Sequence, residues 1–170
     1  MSDLGLKSGT VELVEYNANW PKLYELEAES LRKTLGIDAE RIQHVGSTSI
    51  PGMLSKPILD IAVLVDSLDT AEEWKGTLAK LDYWYKGIEP DLPDRRFFAK
   101  GPREKRTVYL HIVNQREFDS LLKFRDRLRN SPSLTEEYAT LKRSLADKHK
   151  DNRDIYTRSK NNFIRSVIES

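Results

Sequence analysis

Nine consecutive residues, Pro57 to Val65, hold one charged side chain, Asp60, in an otherwise apolar run. A run of that length and character reads as a central strand covered on both faces. Strand alternation puts Ile58, Asp60, Ala62 and Leu64 on one face and Leu59, Ile61, Val63 and Val65 on the other. An unpaired buried carboxylate is costly, so Asp60 calls for a metal, a basic partner or a proton. Lys56 is close in sequence, and the basic strand that begins at Arg95 is a candidate in space. A structural ion pair with one of these is the plain alternative to a ligand site.

Just upstream, Arg41 to Val45 reads as a strand that runs into Gly46-Ser47. Glycine lets a backbone approach a ligand closely, and Ser47 adds a hydroxyl and an N–H, a pairing suited to phosphate. His44, Gly46, Ser47 and Asp60 thus outline a phosphate turn beside a carboxylate.

The rest of the chain sets the frame. At 170 residues it is expected to form one domain and to bury about 70% of the surface its unfolded form exposes. Charged residues make up 32% and hydrophobic residues 38%, the balance of a soluble globular protein. No apolar run approaches the roughly 20 residues of a membrane span. The start, Met1-Ser2-Asp3-Leu4-Gly5, lacks a signal-peptide pattern. With no cysteine, disulfide, thiolate and zinc–cysteine chemistry drop out, and a cytoplasmic location is the expectation. From Arg95 to His111 six basic residues face one acid, Glu104. Such a cluster suits phosphate or nucleic acid, or simply a solvated strand edge.

Val11 to Glu15 alternates and predicts a first strand. Asn19-Trp20-Pro21 predicts a helix start capped by Asn19, with Leu23, Leu26, Leu31 and Leu35 inward and Gly36 as the stop. Asp69-Thr70-Ala71-Glu72 predicts a capping box, with Ala71, Trp74, Leu78 and Leu81 along one helix. Strands are predicted over 83–86, 95–100 and 106–114; in the last, Tyr109, His111 and Val113 share a face. Three helices follow: Arg116 to Arg129, one capped by Ser133-Leu134-Thr135-Glu136, and one from about Ile155 to Ile168. The reading is a single α+β domain over 1–170. A mixed sheet flanked by helices occupies about residues 10–114, and a helical C-terminal subregion occupies about 115–170.

Several blocks together resemble a known family. His44-Val45-Gly46-Ser47-Thr48-Ser49-Ile50-Pro51-Gly52 with Lys56-Pro57-Ile58-Leu59-Asp60-Ile61 is similar to the signature of the GrpB family. Tyr16-Asn17-Ala18-Asn19-Trp20-Pro21, Arg96-Phe97-Phe98, Leu110-His111-Ile112-Val113, Phe124 to Arg129, Tyr138 to Lys142 and Lys160 to Ile164 extend the resemblance along almost the whole chain. It implies a polymerase-beta-like nucleotidyltransferase fold. In that superfamily a Gly-Ser turn precedes a pair of acids on the next strand, and a later strand adds a third; the acids hold two metals. Here Gly46 and Ser47 match the turn and Asp60 the first acid. Ala62 stands at the second acid's place, and His111 is expected at the third.

The resemblance implies a nucleotidyltransferase-like protein that binds a nucleotide or another phosphorylated small molecule and transfers a nucleotidyl group. The alternative is a non-catalytic binding or accessory domain that lost its metal carboxylates. RNA association is a third reading, though the basic segments lack recurrent exposed aromatics. Asp60 and His111 are the candidate catalytic and metal residues, for a divalent ion such as Mg²⁺ or Mn²⁺. Gly46, Ser47, His44, Lys56, Arg95, Arg96, Arg125, Lys142 and Lys160 are the candidates for phosphate or nucleotide. For His44, a satisfied structural histidine is the alternative. For Arg125, Lys142 and Lys160 it is a surface charge or a salt bridge between helices. Asp91 and Asp94, in the loop before the basic strand, are the remote acids available to replace the missing one.

Overall fold

The computed structural model describes residues 4–170. Residues 1–3, on which the expectation of no signal sequence partly rests, lie outside the described residues. The sheet is built from β1 (Ile42–Val45), β2 (Leu59–Leu64), β3 (Tyr83–Gly87), β4 (Arg95–Lys100) and β5 (Val108–Val113). Their spatial order is β1-β2-β5-β4-β3. The β2–β5 pair is parallel and the other pairs are antiparallel, so the sheet is mixed.

The alternation read from β2 holds. Leu59, Ile61, Val63 and Val65 join Val108, Leu110 and Ile112 in the main core. Over them lie α1 (Trp20–Leu35) and two short helices, α2 (Thr70–Glu73) and α3 (Lys75–Ala79), through Trp20, Ala28, Leu31, Ala71 and Leu78. The opposite face is shared. Over part of it α4 (Gln115–Arg129) packs Phe118 against Val45, Ala62 and Val113. Beyond it α5 (Pro132–His149), α6 (Arg153–Arg158) and α7 (Asn161–Glu169) form the helical subregion. Ile50 and Met53, just past the Gly-Ser turn, anchor that subregion by packing with Phe124, Leu128, Tyr138, Ala139 and Val167.

Several predicted elements differ. Residues 11–15 form no regular strand; Val14 makes an isolated bridge to Ser55, and Val11 packs on Leu145 and Tyr156. Asn19 has helical backbone angles and no capping side-chain bond; instead the Asn17 side-chain oxygen accepts the Asn19 N–H at 2.8 Å. Leu26 is 58% exposed, because Ala28 and Trp20 complete the inward stripe in its place. The helix predicted from Thr70 breaks at Trp74, and at its entry the Asp69 carboxylate makes no capping bond while the Ser67 hydroxyl accepts the Asp69 N–H. α5 begins at Pro132 with Ser131 as its cap, two residues before the predicted box. The last predicted helix is two helices, with Ser159 and Lys160 between them.

Candidate active site

The turn after β1 is fitted against Asp60. Val45 and Asp60 are register partners, and Gly46 follows with φ 67°, ψ −173°. A Cβ there would lie 2.5 Å from Asp60 Oδ2 and 2.9 Å from Asp60 Cβ, so only glycine fits. Ser47–Ser49 then form one turn of 3₁₀ helix, locked by Ser49 Oγ donating to the Gly46 carbonyl at 2.6 Å. Arg129 of α4 donates to the Ser49 carbonyl through Nε (2.9 Å) and Nη2 (2.7 Å).

Asp60 and His111 meet as expected. They project from the parallel pair β2–β5, and His111 Nε2 lies 2.9 Å from Asp60 Oδ1. Burial pushes the Asp60 carboxyl up. The His111 contact and the nearby charges of Lys56 and Lys160 outweigh that and hold it below the usual range. The His111 ring packs edge-on against Phe97, and its buried Nδ1 has no hydrogen-bond partner.

Three lysines gather at this corner. Lys142 of α5 is 1% exposed; its Nζ donates to Ser47 Oγ at 3.0 Å and to the Leu54 carbonyl. Burial pulls its pKa down to about 6, and the charges of Lys160 and Arg143 add to the effect. Lys160, in the break between α6 and α7, is lowered by burial to about 8; Asp60 opposes the shift and Arg153 reinforces it. Lys56 is lowered well below its ordinary value by burial and by Arg153 and Lys160, against the pull of Asp60. Aromatic rings hold these cations in place. Lys160 and Lys56 lie 4.4 and 5.6 Å from the Tyr156 ring centroid, Lys142 lies 4.9 Å from that of Tyr138, and Arg153 lies 4.8 Å from that of Tyr109.

The structure therefore brings Gly46, Ser47, Lys56, Asp60, His111, Lys142 and Lys160 together. The other candidates sit elsewhere. His44 is buried, stacked on Tyr24 and 3.0 Å from Thr48 Oγ1, and burial lowers its pKa to about 4. Arg125 braces the strand behind the turn, donating to Gln43 Oε1 and the His44 carbonyl, both at 3.0 Å, and pairing with Asp126. Arg95 is held by Glu117 of α4, and Arg96 donates to the Pro93 carbonyl at 2.8 Å. Asp91 pairs with Arg158 and Asp94 with Arg116, so neither supplies the missing acid. Arg153, Tyr109, Tyr138 and Tyr156 were not singled out from the sequence. Of these, Tyr109 carried a signal in its shared face with His111 and Tyr138 in its place within a block of the resemblance.

The donor set at this corner does not fit the metal that the resemblance implies. Among the described residues no group of three or more His, Asp or Glu side chains converges on one point. One carboxylate and one imidazole do not make the oxygen-rich octahedron that Mg²⁺ requires. Among the described residues no helix is long and apolar enough to cross a membrane.

Comparison with known proteins agrees with this architecture. Residues 10–170 match the family model described as GrpB protein. The UPF0157 protein BH1888 of Halalkalibacterium halodurans is 34% identical over 171 residues, spanning 99% of this chain and 86% of that protein. The crystal structure of the conserved protein GrpB from Enterococcus faecalis superposes with a TM-score of 0.82 at 34% identity, over 93% of this chain and 95% of that one. The Cid1 poly(U) polymerase with MgGTP bound superposes at a TM-score of 0.53 and 15% identity, over 78% of this chain and 44% of that one. That last likeness is one of fold alone: the mixed sheet and its helices are arranged as in that polymerase. By sequence and by structure, this chain belongs to the GrpB family.

Proposed function

We propose that this protein binds a nucleotide or another phosphorylated small molecule at the corner formed by Gly46, Ser47, Lys142, Lys160, Lys56 and Arg153. The observation that carries the reading is the gathering of four basic side chains and a hydroxyl at one corner, where Lys56 and Lys160 act on the Asp60 carboxylate. An anion suits such a corner, because it favours the charged forms of lysines that burial alone disfavours. The fold supports a nucleotide as the form of that anion, because Cid1, a poly(U) polymerase of similar architecture, holds MgGTP. Ligand that binds only the native state raises the melting temperature, with stabilisation of about 2.7 kcal/mol at 100 times Kd. Thermal melts with ATP, GTP, CTP and UTP test the reading. A rise with at least one nucleotide, lost in Lys142→Met and Lys160→Met, is expected. Flat melts with all four would rule out a nucleotide.

Nucleotidyl transfer is a second reading, favoured by the Asp60–His111 contact. Asp60 fixes the His111 imidazole through Nε2, so general-base chemistry would need the buried Nδ1, beside Phe97, to open to an acceptor hydroxyl. Release of pyrophosphate from a nucleoside triphosphate, lost in His111→Asn with binding retained, would support it. Binding without release by the unaltered protein would leave a non-catalytic ligand-binding domain.

A further inference from the structure

The inference rests on the reading above and concerns how the ligand's charge is met. Asp60 has no acidic neighbour on its strand face, since Ala62 is fully buried beside Phe118, Val45 and Val113. The groups that do act on Asp60 are His111, Lys56 and Lys160. Lys56 arrives from the loop before β2, Lys160 from the break between α6 and α7, and Arg153 from the first residue of α6. Three separate elements thus direct positive charge at the same corner.

Arg153 supplies an independent sign. It lies over Tyr109, the register partner of Asp60 on β5. Its Nη1 is buried and has no hydrogen-bond partner. A buried guanidinium nitrogen left unmatched is costly, and an anionic oxygen is the acceptor it suits best. A divalent cation beside Asp60 would instead lie next to two amines, Lys56 and Lys160, whose charged forms repel it.

We propose that this corner takes its phosphorylated ligand as the bare anion, with Lys56, Lys160 and Arg153 neutralising the charge that divalent ions would otherwise neutralise. Asp60 then serves to hold His111 and to space the cations.

Calorimetric titration of the full chain with sodium tripolyphosphate and with ATP tests this, first in EDTA and then in Mg²⁺. Dissociation constants in the two conditions are expected within about threefold of each other. Lys160→Met is expected to weaken binding in EDTA by about tenfold or more. Asp60→Asn removes a negative charge next to the anion, so binding is expected to hold or tighten. That variant keeps the test decisive even where Lys160→Met fails to fold. Binding that requires Mg²⁺ or Mn²⁺ and disappears in Asp60→Asn would overturn the metal-free mode and leave the phosphate reading standing. No binding of either probe in either condition would remove both.

Discussion

Gly46 shows how much one residue constrains the corner. Its left-handed φ and its packing against the Asp60 carboxylate each exclude a side chain. Gly46→Ala is expected to cost about 1–3 kcal/mol, from backbone strain and the forced displacement of Asp60. Urea unfolding of the variant measures it. His44 makes a second prediction. Its pKa is about 4 in the fold against an ordinary 6.5, because burial disfavours the cation. A group lowered in the folded state contributes stability that is present above pH 6.5 and lost as pH falls through about 4. Urea midpoints measured across that window are expected to fall, and His44→Gln is expected to flatten the fall. Sequence reasoning left His44 open between ligand contact and structural role. The choice depended on Tyr24 and Thr48; Thr48 is four residues away, but Tyr24 comes from another element and pattern alone could not bring it near.

At the scale of elements, alternation in β2 and β5 was legible because both strands are buried on two faces and hydrophobicity decides their register. The same logic failed at residues 11–15, which alternate but pair only through one bridge. It also failed at the C-terminus, where periodicity runs through Ser159 and Lys160 although the backbone breaks there. That break sets Lys160 beside Tyr156 and within reach of the Asp60 charge. The basic strand misled for a related reason. Arg95 and Arg96 advertise charge, yet Glu117 and the Pro93 carbonyl take them up, and Glu117, 22 residues on, is not visible from a local window. Arg125 tests an element-level role, since its Nη1 ties α4 to Gln43 and the His44 carbonyl of β1 while Nε and Nη2 hold Asp126. Arg125→Lys loses that geometry, because an ammonium cannot replace a planar fork. A loss of about 1–3 kcal/mol in denaturant unfolding is expected, from polar groups left unmatched.

Across the whole molecule, the site belongs to both halves. The sheet supplies Asp60 and His111, the turn and loop after β1 supply Ser47 and Lys56, and the C-terminal helices supply Lys142, Arg153 and Lys160. The lysines are crowded, and Lys142 and Lys160 titrate near 6 and 8 in the free protein. An anion among them favours their charged forms, so both pKa values rise on binding. Binding is therefore expected to take up protons around neutral pH and to weaken as pH rises through about 8. Calorimetry of phosphate-ligand binding in buffers of different ionisation enthalpy would read that uptake directly. Binding without proton uptake would show that these lysines are already charged.

The Lys142–Ser47 hydrogen bond joins residues 95 apart in the chain. The corner exists only once the turn after β1 and α5 have met, because each supplies one of its groups. A ligand held there cannot recognise a chain whose sheet has formed while α5 is still undocked. It therefore acts as a latch on the finished molecule, lengthening the lifetime of the native state while leaving the rate of its formation almost untouched.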